Sequence, residues 1–551
     1  MKKYRIVRIL FTAILLLSLL ILPSCRQIVP YLQDYIAINS GITPNTAFSL
    51  YENLEIDFDQ QIANQIEERF EKLEEMLASN NVLRTIPFVA LFARQNSELY
   101  YVGDAAQMCY LKFSMDPEKN ASYMDEYTRI SALYTDYSSR LIRMYRPVYE
   151  SVYCDTVFGN WSEEEIEMAL KLSDSYTDEV VSLTKQRDEL LAAYYKLDQK
   201  ANGFLSDSEK CYKQIVTLNN RIAEKLGYDG YVDYAYDHVY SRDYTKDDAK
   251  RLYEYVRSYI VPLAEDLQDE IAVFATTDRF QKEYLTVYKY DFTSSELDSL
   301  LESYYGYFYD NPEVFVKQWR DLTVFGTESS YSAAFTLALS YYGLPVCYYG
   351  GDYQDPFTII HEQGHFAAIL QMPGGYNSID LCEVHSQGNE WLFLSYLKDQ
   401  SSKKDRYDEI AKVMLYEQCL SIIIATACDM FEQTMYDDLP SSNLDAAFKD
   451  CLNYLGAYEL LNLNMNVKPE YYWHYAIVSN SMYYLSYAVS MIPAVELYVV
   501  AQSEGFEIAA SRYSALMGYN SYVGFSEALG EAGLSSPFES TVYVQIKEYF
   551  S

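Results

Sequence analysis

Residues 355–372, DPFTIIHEQGHFAAILQM, constrain this chain more than any other stretch. The apolar run that follows His365 predicts a helix. On a helix, residues four apart share one face, one turn above another. His361 and His365 are placed in this way, close enough to hold one ion between them. Glu362 stands beside the first of them, within reach of the same point. The chain has only five histidines in 551 residues, so a chance His-Glu-x-x-His match is rare, on the order of one in a few hundred. The competing reading is a solvent-facing helix whose histidine pair binds nothing.

The residues downstream weigh against that competitor. The apolar run ends at Met372-Pro373-Gly374-Gly375, a helix stop and a turn. A second helical pattern starts near Ser378. Glu383 falls on its first turns, and Glu390 lies two turns further along the same face. A short loop between the helices can bring Glu383 against the histidine pair. Two imidazoles, one carboxylate and an open fourth position are a ligand set that holds a single hydrolytic Zn2+. Glu362 is then the general base.

Here the sequence resembles the oligoendopeptidase F / thimet oligopeptidase family of zinc metallopeptidases. Its members carry HExxH followed by a glutamate ligand in a segment like E-V-x-S-x-x-N-E. This chain has Glu383-Val384-His385-Ser386-Gln387-Gly388-Asn389-Glu390, and the family's D-x-x-T is matched by Asp355 and Thr358. The gap from His365 to Glu383 is several residues shorter than usual, as a trimmed loop would make it. The resemblance implies a mainly α fold, a helical zinc-peptidase architecture with a small β-sheet beside the active-site helix and a deep substrate channel. It also implies cleavage of internal bonds in short peptides, with His361, His365 and Glu383 holding zinc and Glu362 as the base. His474, Tyr484 and Tyr487 would donate hydrogen bonds to the oxyanion; the alignment slips by a residue or two, so Tyr475 and Tyr483 compete for those roles. Glu390 and Asp355 are candidates for orienting the histidines or their helix. His385, on another side of its helix from Glu383, is expected to hydrogen-bond nearby.

Between residues 329 and 351 the period changes. AAFTLALSYYGLPVCYYGGD is two short apolar runs broken at Gly343-Leu344-Pro345, which predicts strands. In the family a small sheet here pairs its exposed edge with the substrate backbone, a mode suited to sequence-tolerant binding. Gly350 and Gly351 would let a peptide come close; alternatively they turn a structural hairpin.

At the amino terminus, Lys2, Lys3, Arg5 and Arg8 precede an almost wholly apolar run from Ile9 to Leu22. That pattern predicts an export signal, too short for a comfortable membrane span. Leu22-Pro23-Ser24-Cys25 looks like a lipobox, with Cys25 as the lipidated first residue of an extracytoplasmic, membrane-anchored bacterial lipoprotein. Two acyl chains suffice for stable attachment. The alternative is a plain cleaved signal with an incidental Cys25. The expected organisation is a signal peptide over 1–24, a spacer over 25–50, an N-terminal helical region over 51–200 and a catalytic region over 201–551.

Half the residues are apolar, enough for a large core, and the formal charge of −36 argues against a nucleic-acid partner. Capping boxes at Ser162/Glu165 and Thr245/Asp248 mark helix starts. His238 lacks a companion at ligand spacing and reads as a packing or surface residue. Eight cysteines beyond Cys25 are scattered, which leaves disulfides and buried thiols equally open. Two rival functions remain: an exopeptidase of the gluzincin type with the same ligands, and a non-catalytic peptide-binding surface lipoprotein. The second predicts a damaged base or ligand, whereas Glu362, both histidines and Glu383 are present.

Overall fold

The computed structural model describes residues 60–550 apart from 198, 200, 278, 282–293, 352–354, 372–377, 403 and 519–522. The expected leader, the spacer, Cys25 and the turn at Met372-Pro373-Gly374-Gly375 lie outside the described residues. Among the described residues three long helices come first: α1 (Gln60–Ser79), α2 (Thr85–Met115) and α3 (Ala121–Tyr149). Their apolar stripes close around Phe70, Phe88, Tyr137 and Tyr153 as a core of their own. Phe88 stacks on Tyr153 with ring centroids 4.0 Å apart. At the start of α4 (Glu163–Ser175), the Ser162 hydroxyl accepts from the Glu165 N–H and the Glu165 carboxylate from the Ser162 N–H. This reciprocal cap satisfies two donors that a helix start leaves orphaned. Thr245 and Asp248 begin α7 (Lys246–Tyr255) in the same way. Between them run α5 (Asp178–Tyr195) and α6 (Phe204–Lys225), which join a second, much larger core.

That core continues through α8 (Val261–Phe274), α9 (Ser294–Tyr305) and α10 (Pro312–Asp321). After the sheet come α11 (Pro356–Gln371), α12 (Ile379–Gln400), α13 (Lys404–Asp437), α14 (Leu444–Leu455), α15 (Leu485–Ser503) and α16 (Phe506–Met517). α13 and α15 are long and apolar enough to cross a membrane, yet 67% and 78% of their most apolar stretches lie inside the molecule. They are core helices, apolar on most sides because protein surrounds them. Among the described residues the eight cysteines form no disulfide.

Among the described residues the sheet has three strands in the order β1-β3-β2: β1 (Thr323–Phe325), β2 (Ala334–Leu339) and β3 (Leu344–Tyr349). β2 and β3 are the two strands expected from the sequence, paired antiparallel as a hairpin. β1 is too short to show alternation and pairs parallel to β3. β3 is buried along its whole length, while β2 forms a half-buried edge. The Gly350 N–H donates to the Ala333 carbonyl at 2.8 Å, which makes 333/350 a hydrogen-bonded pair. Alternation along the antiparallel register then makes Thr336/Cys347 and Ala338/Pro345 non-hydrogen-bonded pairs. Proline, with no N–H to donate, is tolerated there. A Cβ on Gly350 would fall 2.0 Å from the Tyr331 carbonyl oxygen, and Gly351 has φ +61°. The close approach is between segments of this chain, so the hairpin itself accounts for both glycines.

α2 ties the hairpin to the first core. The buried Asp104 carboxylate accepts the N–H groups of Ser340 and Tyr341, each at 2.9 Å. The Ser114 carbonyl accepts the Tyr331 N–H and the Tyr348 hydroxyl, each at 2.7 Å. Burial pushes the Asp104 carboxyl up from 3.8 to about 7, against the pull of its backbone donors. A group with a raised folded-state pKa favours folding most when protonated in both states. Its contribution is therefore full below about pH 4 and lost as pH rises through about 7. Asp104→Ala is expected to lower stability in urea unfolding by about 2 kcal/mol at pH 4.5, and by less at pH 8. A penalty that grows between those pH values would contradict this assignment.

Candidate metal centre

The histidine helix is started by Asp355. Its carboxylate accepts the N–H groups of Phe357 and Thr358 at 3.0 Å each and the Thr358 hydroxyl at 2.6 Å. Asp355 thus serves the helix rather than the imidazoles. α12 starts at Ser378, whose hydroxyl accepts from the Leu381 N–H at 3.3 Å. The two helices cross at Gly364. A Cβ there would meet the His385 carbonyl oxygen at 2.4 Å and the Ser386 Cα at 2.7 Å, so the contact needs a residue with no side chain. Asn389 bolts the crossing: its Nδ2 donates to the Ile360 carbonyl at 2.7 Å and to the Tyr305 hydroxyl at 3.0 Å. Tyr305 in turn donates to Gln363 Oε1 at 3.0 Å.

The crossing gathers His361, His365 and Glu383. One ligand atom from each lies within 4.8 Å of the others, and the two imidazole centroids are 5.1 Å apart. The histidines are half-buried; Glu362 and Glu383 are buried. His361 Nδ1 lies 2.7 Å from Glu390 Oε1. His365 Nδ1 lies 3.2 Å from Cys382 Sγ, and the Cys382 backbone also holds this ring. With each Nδ1 bonded to an orienting partner, Nε2 of each ring is the atom left to meet an ion, as is usual around protein-bound metals. Glu383 Oε1 accepts the Tyr483 hydroxyl at 2.7 Å, and Glu362 Oε2 accepts the Thr336 hydroxyl at 2.6 Å.

Burial alone would depress the His361 imidazole, but the hydrogen bond and charge of Glu390, with Glu362 and Glu383 behind it, lift it to about 9. Burial raises Glu362 to about 7, opposed by His361 and by the Thr336 hydrogen bond. Glu383 is raised and His365 pushed well down, burial leading in both cases. Three carboxylates and two imidazoles thus meet in a region of low dielectric, where extra negative charge is costly. A divalent cation is the group that relieves it. Two oriented imidazoles and a carboxylate converging within one ion's span fit zinc.

The phenols divide by position. Tyr483 lies on Glu383. The Tyr487 ring is 5.2 Å from that of Tyr483, and its hydroxyl feels the charges of Glu383 and Glu362. Tyr484 turns towards Tyr472, 6.4 Å away between ring centroids, with Cys428 nearby. Burial leads in raising all three above the ordinary phenol value, so they remain donors at neutral pH. The turn bearing them is held from behind. Met482 adopts the left-handed φ +62°, its N–H bonded to Glu432 Oε1 at 2.8 Å and its carbonyl accepting from Arg242 Nη2 at 2.9 Å.

His474 is not brought to this cluster. Its ring stacks on Trp473 at 3.7 Å, Nδ1 is 2.6 Å from Ser208 Oγ, and Nε2 is 2.9 Å from Asp445 Oδ1. With both ring nitrogens committed it has no donor to give an oxyanion, and its position ties α6 to the start of α14. Tyr475 packs on Phe204 at 4.8 Å. His385 is buried, bonded to the Leu516 backbone and pushed down to about 4 by desolvation, outside the ligand cluster. His238 is exposed and stacks on Tyr234 at 5.2 Å. Thr336 had no sequence signal, since only the strand register turns it towards Glu362.

No family model matches the sequence, and no curated protein matches it. Solved structures do. Pz peptidase A, with an inhibitor, is similar with TM-score 0.70 and 15% identity over 91% of this chain and 99% of that one. A putative oligoendopeptidase F from Bacillus anthracis str. Ames gives 0.68 and 16% over 92% and 98%. Oligoendopeptidase-F from Enterococcus faecium gives 0.52 and 14% over 89% and 97%. The chain therefore has the mainly helical fold of the oligoendopeptidase F structures over nearly its whole length.

If the crossing at Gly364 builds the site, Gly364→Ala is expected to cost about 1–3 kcal/mol, as overpacking does, and to weaken zinc binding. Thermal unfolding and equilibrium dialysis with zinc measure the two effects. An alanine variant that binds zinc as wild type does would rule the crossing out as the determinant.

Proposed function

We propose that this chain is an exported zinc-dependent endopeptidase that hydrolyses internal bonds of short peptides. The observation carrying the reading is the convergence of His361, His365 and Glu383 within 4.8 Å beside the buried Glu362. The shared fold with structures named as peptidase and oligoendopeptidase supports it. A zinc ion held by those three residues would polarise the scissile carbonyl and ease the ionisation of a water at that point.

The rest is the work of the chain's own groups. Glu390 and Cys382 hold the two imidazoles, while Tyr483 and Ser386 hold Glu383. Glu362 takes the proton of the attacking water and returns it to the leaving amine. Tyr487, kept protonated by burial, donates to the carbonyl oxygen as negative charge grows on it. Such a donor contributes about 2.7–4 kcal/mol. The open edge of β2 offers backbone groups along which an extended peptide can add, with little demand on side-chain identity.

The basic, apolar start of the sequence and the Leu22-Pro23-Ser24-Cys25 segment support export and lipidation at Cys25. Cys25→Ala, expressed in a bacterium fed labelled palmitate, is expected to lose both the label and membrane retention. Label retained on the variant would remove Cys25 as the anchor. For the chemistry, internally quenched peptides are expected to be cut at internal bonds by wild type, with loss on chelation and return with zinc. Glu362→Gln should keep its zinc and lose about 10²–10⁴-fold in kcat. Equal cleavage by the variant would place the base elsewhere.

A further inference from the structure

We propose that Thr336 positions the carboxylate of Glu362, joining the base to the strand on which a peptide would lie; its catalytic meaning rests on the peptidase reading above. Thr336 sits in the middle of β2, opposite Cys347. Because 336/347 is a non-hydrogen-bonded pair, the Thr336 N–H and C=O point away from β3 towards the open edge of the sheet. Its side chain points to α11. Phe335 and Leu337 take the opposite face, where Phe335 packs on Tyr348 at 4.8 Å and Tyr110 at 5.3 Å.

The Thr336 hydroxyl has one proton and three neighbours: Glu362 Oε2 at 2.6 Å, the Glu362 carbonyl at 3.2 Å and Cys347 Sγ at 3.4 Å. The shortest contact, to an ionisable oxygen, takes the proton. Among the described residues no other hydrogen-bond donor reaches the Glu362 carboxylate. Thr336 therefore fixes one carboxylate oxygen and leaves Oε1 to receive a proton from water. A peptide pairing with the backbone of residue 336 would take its register from the same residue that aims the base. Substrate position and base position then share one mechanical reference.

Valine keeps the β-branched shape that a strand favours and removes the hydroxyl; serine keeps the hydroxyl and removes the methyl. In the full chain, Thr336→Val is expected to lower kcat roughly ten- to thirtyfold, with KM within about twofold because the strand backbone is unchanged, and with zinc content unchanged. Thr336→Ser should recover most of kcat. Crystal structures should show the Glu362 carboxylate turned from its wild-type position in the valine variant and restored in the serine variant. Wild-type kcat in Thr336→Val, or equal loss in both variants, overturns the proposal. If wild type cleaves no peptide, the peptidase reading has failed, and the positioning claim is decided by the crystal structures alone. A Glu362 carboxylate unmoved in Thr336→Val then overturns it.

Discussion

Everything in the candidate centre depends on the contact between the backbones of α11 and α12 at Gly364. Two helices normally stand 8–10 Å apart because side chains separate them. Here the Cα of residue 364 faces the backbone of His385 and Ser386 directly. That approach lets Glu383, on the second helix, reach two histidines on the first. It also places Asn389 and Glu390 one to two turns further along, where they bond the Ile360 carbonyl and His361. The geometry of the cluster is thereby a property of two packed helices, a more rigid support than loops supply.

The second constraint is charge. Glu362, Glu383 and Glu390 surround a pair of imidazoles in the interior, and the response is a high His361 and a high Glu362. Such a cluster is costly to the fold, and buried, shifted groups of this kind mark a candidate functional site. The tyrosine-bearing turn carries a parallel cost. Met482 in left-handed backbone is unfavourable by about 1–3 kcal/mol, and it is over-determined by Glu432 and Arg242. Arg242 itself lies under the rings of Tyr236 and Tyr240 at 4.7 and 4.6 Å. Strain and buried charge concentrate around one point of the structure, on the side where Tyr483 meets Glu383.

How much was legible in the sequence depends on the range of each signal. His361 and His365 are four apart, so helical periodicity alone pairs them. The capping boxes at Ser162 and Thr245 and the cap at Ser378 are local and equally legible. Glu383 is legible as a carboxylate that a short inter-helix loop can bring to the pair; how the two helices cross to do so is not stated by the sequence. His474 shows the limit: its partners are Ser208, 266 residues earlier, and Asp445, 29 earlier, and neither spacing carries a signal. Tyr483 emerges ahead of Tyr484 for the same reason, since the left-handed turn at Met482 sets which phenol faces Glu383. β1 and Thr336 depend on sheet register, which three- and six-residue strands do not specify by pattern alone.

The most direct test of the central claim is a crystal structure of the zinc-loaded chain with diffraction recorded on both sides of the zinc absorption edge. One anomalous peak is expected at bonding distance from Nε2 of His361, Nε2 of His365 and a carboxylate oxygen of Glu383, with Glu362 beside it but unbonded. A peak at other residues, or no peak in a crystal grown with excess zinc, would contradict it.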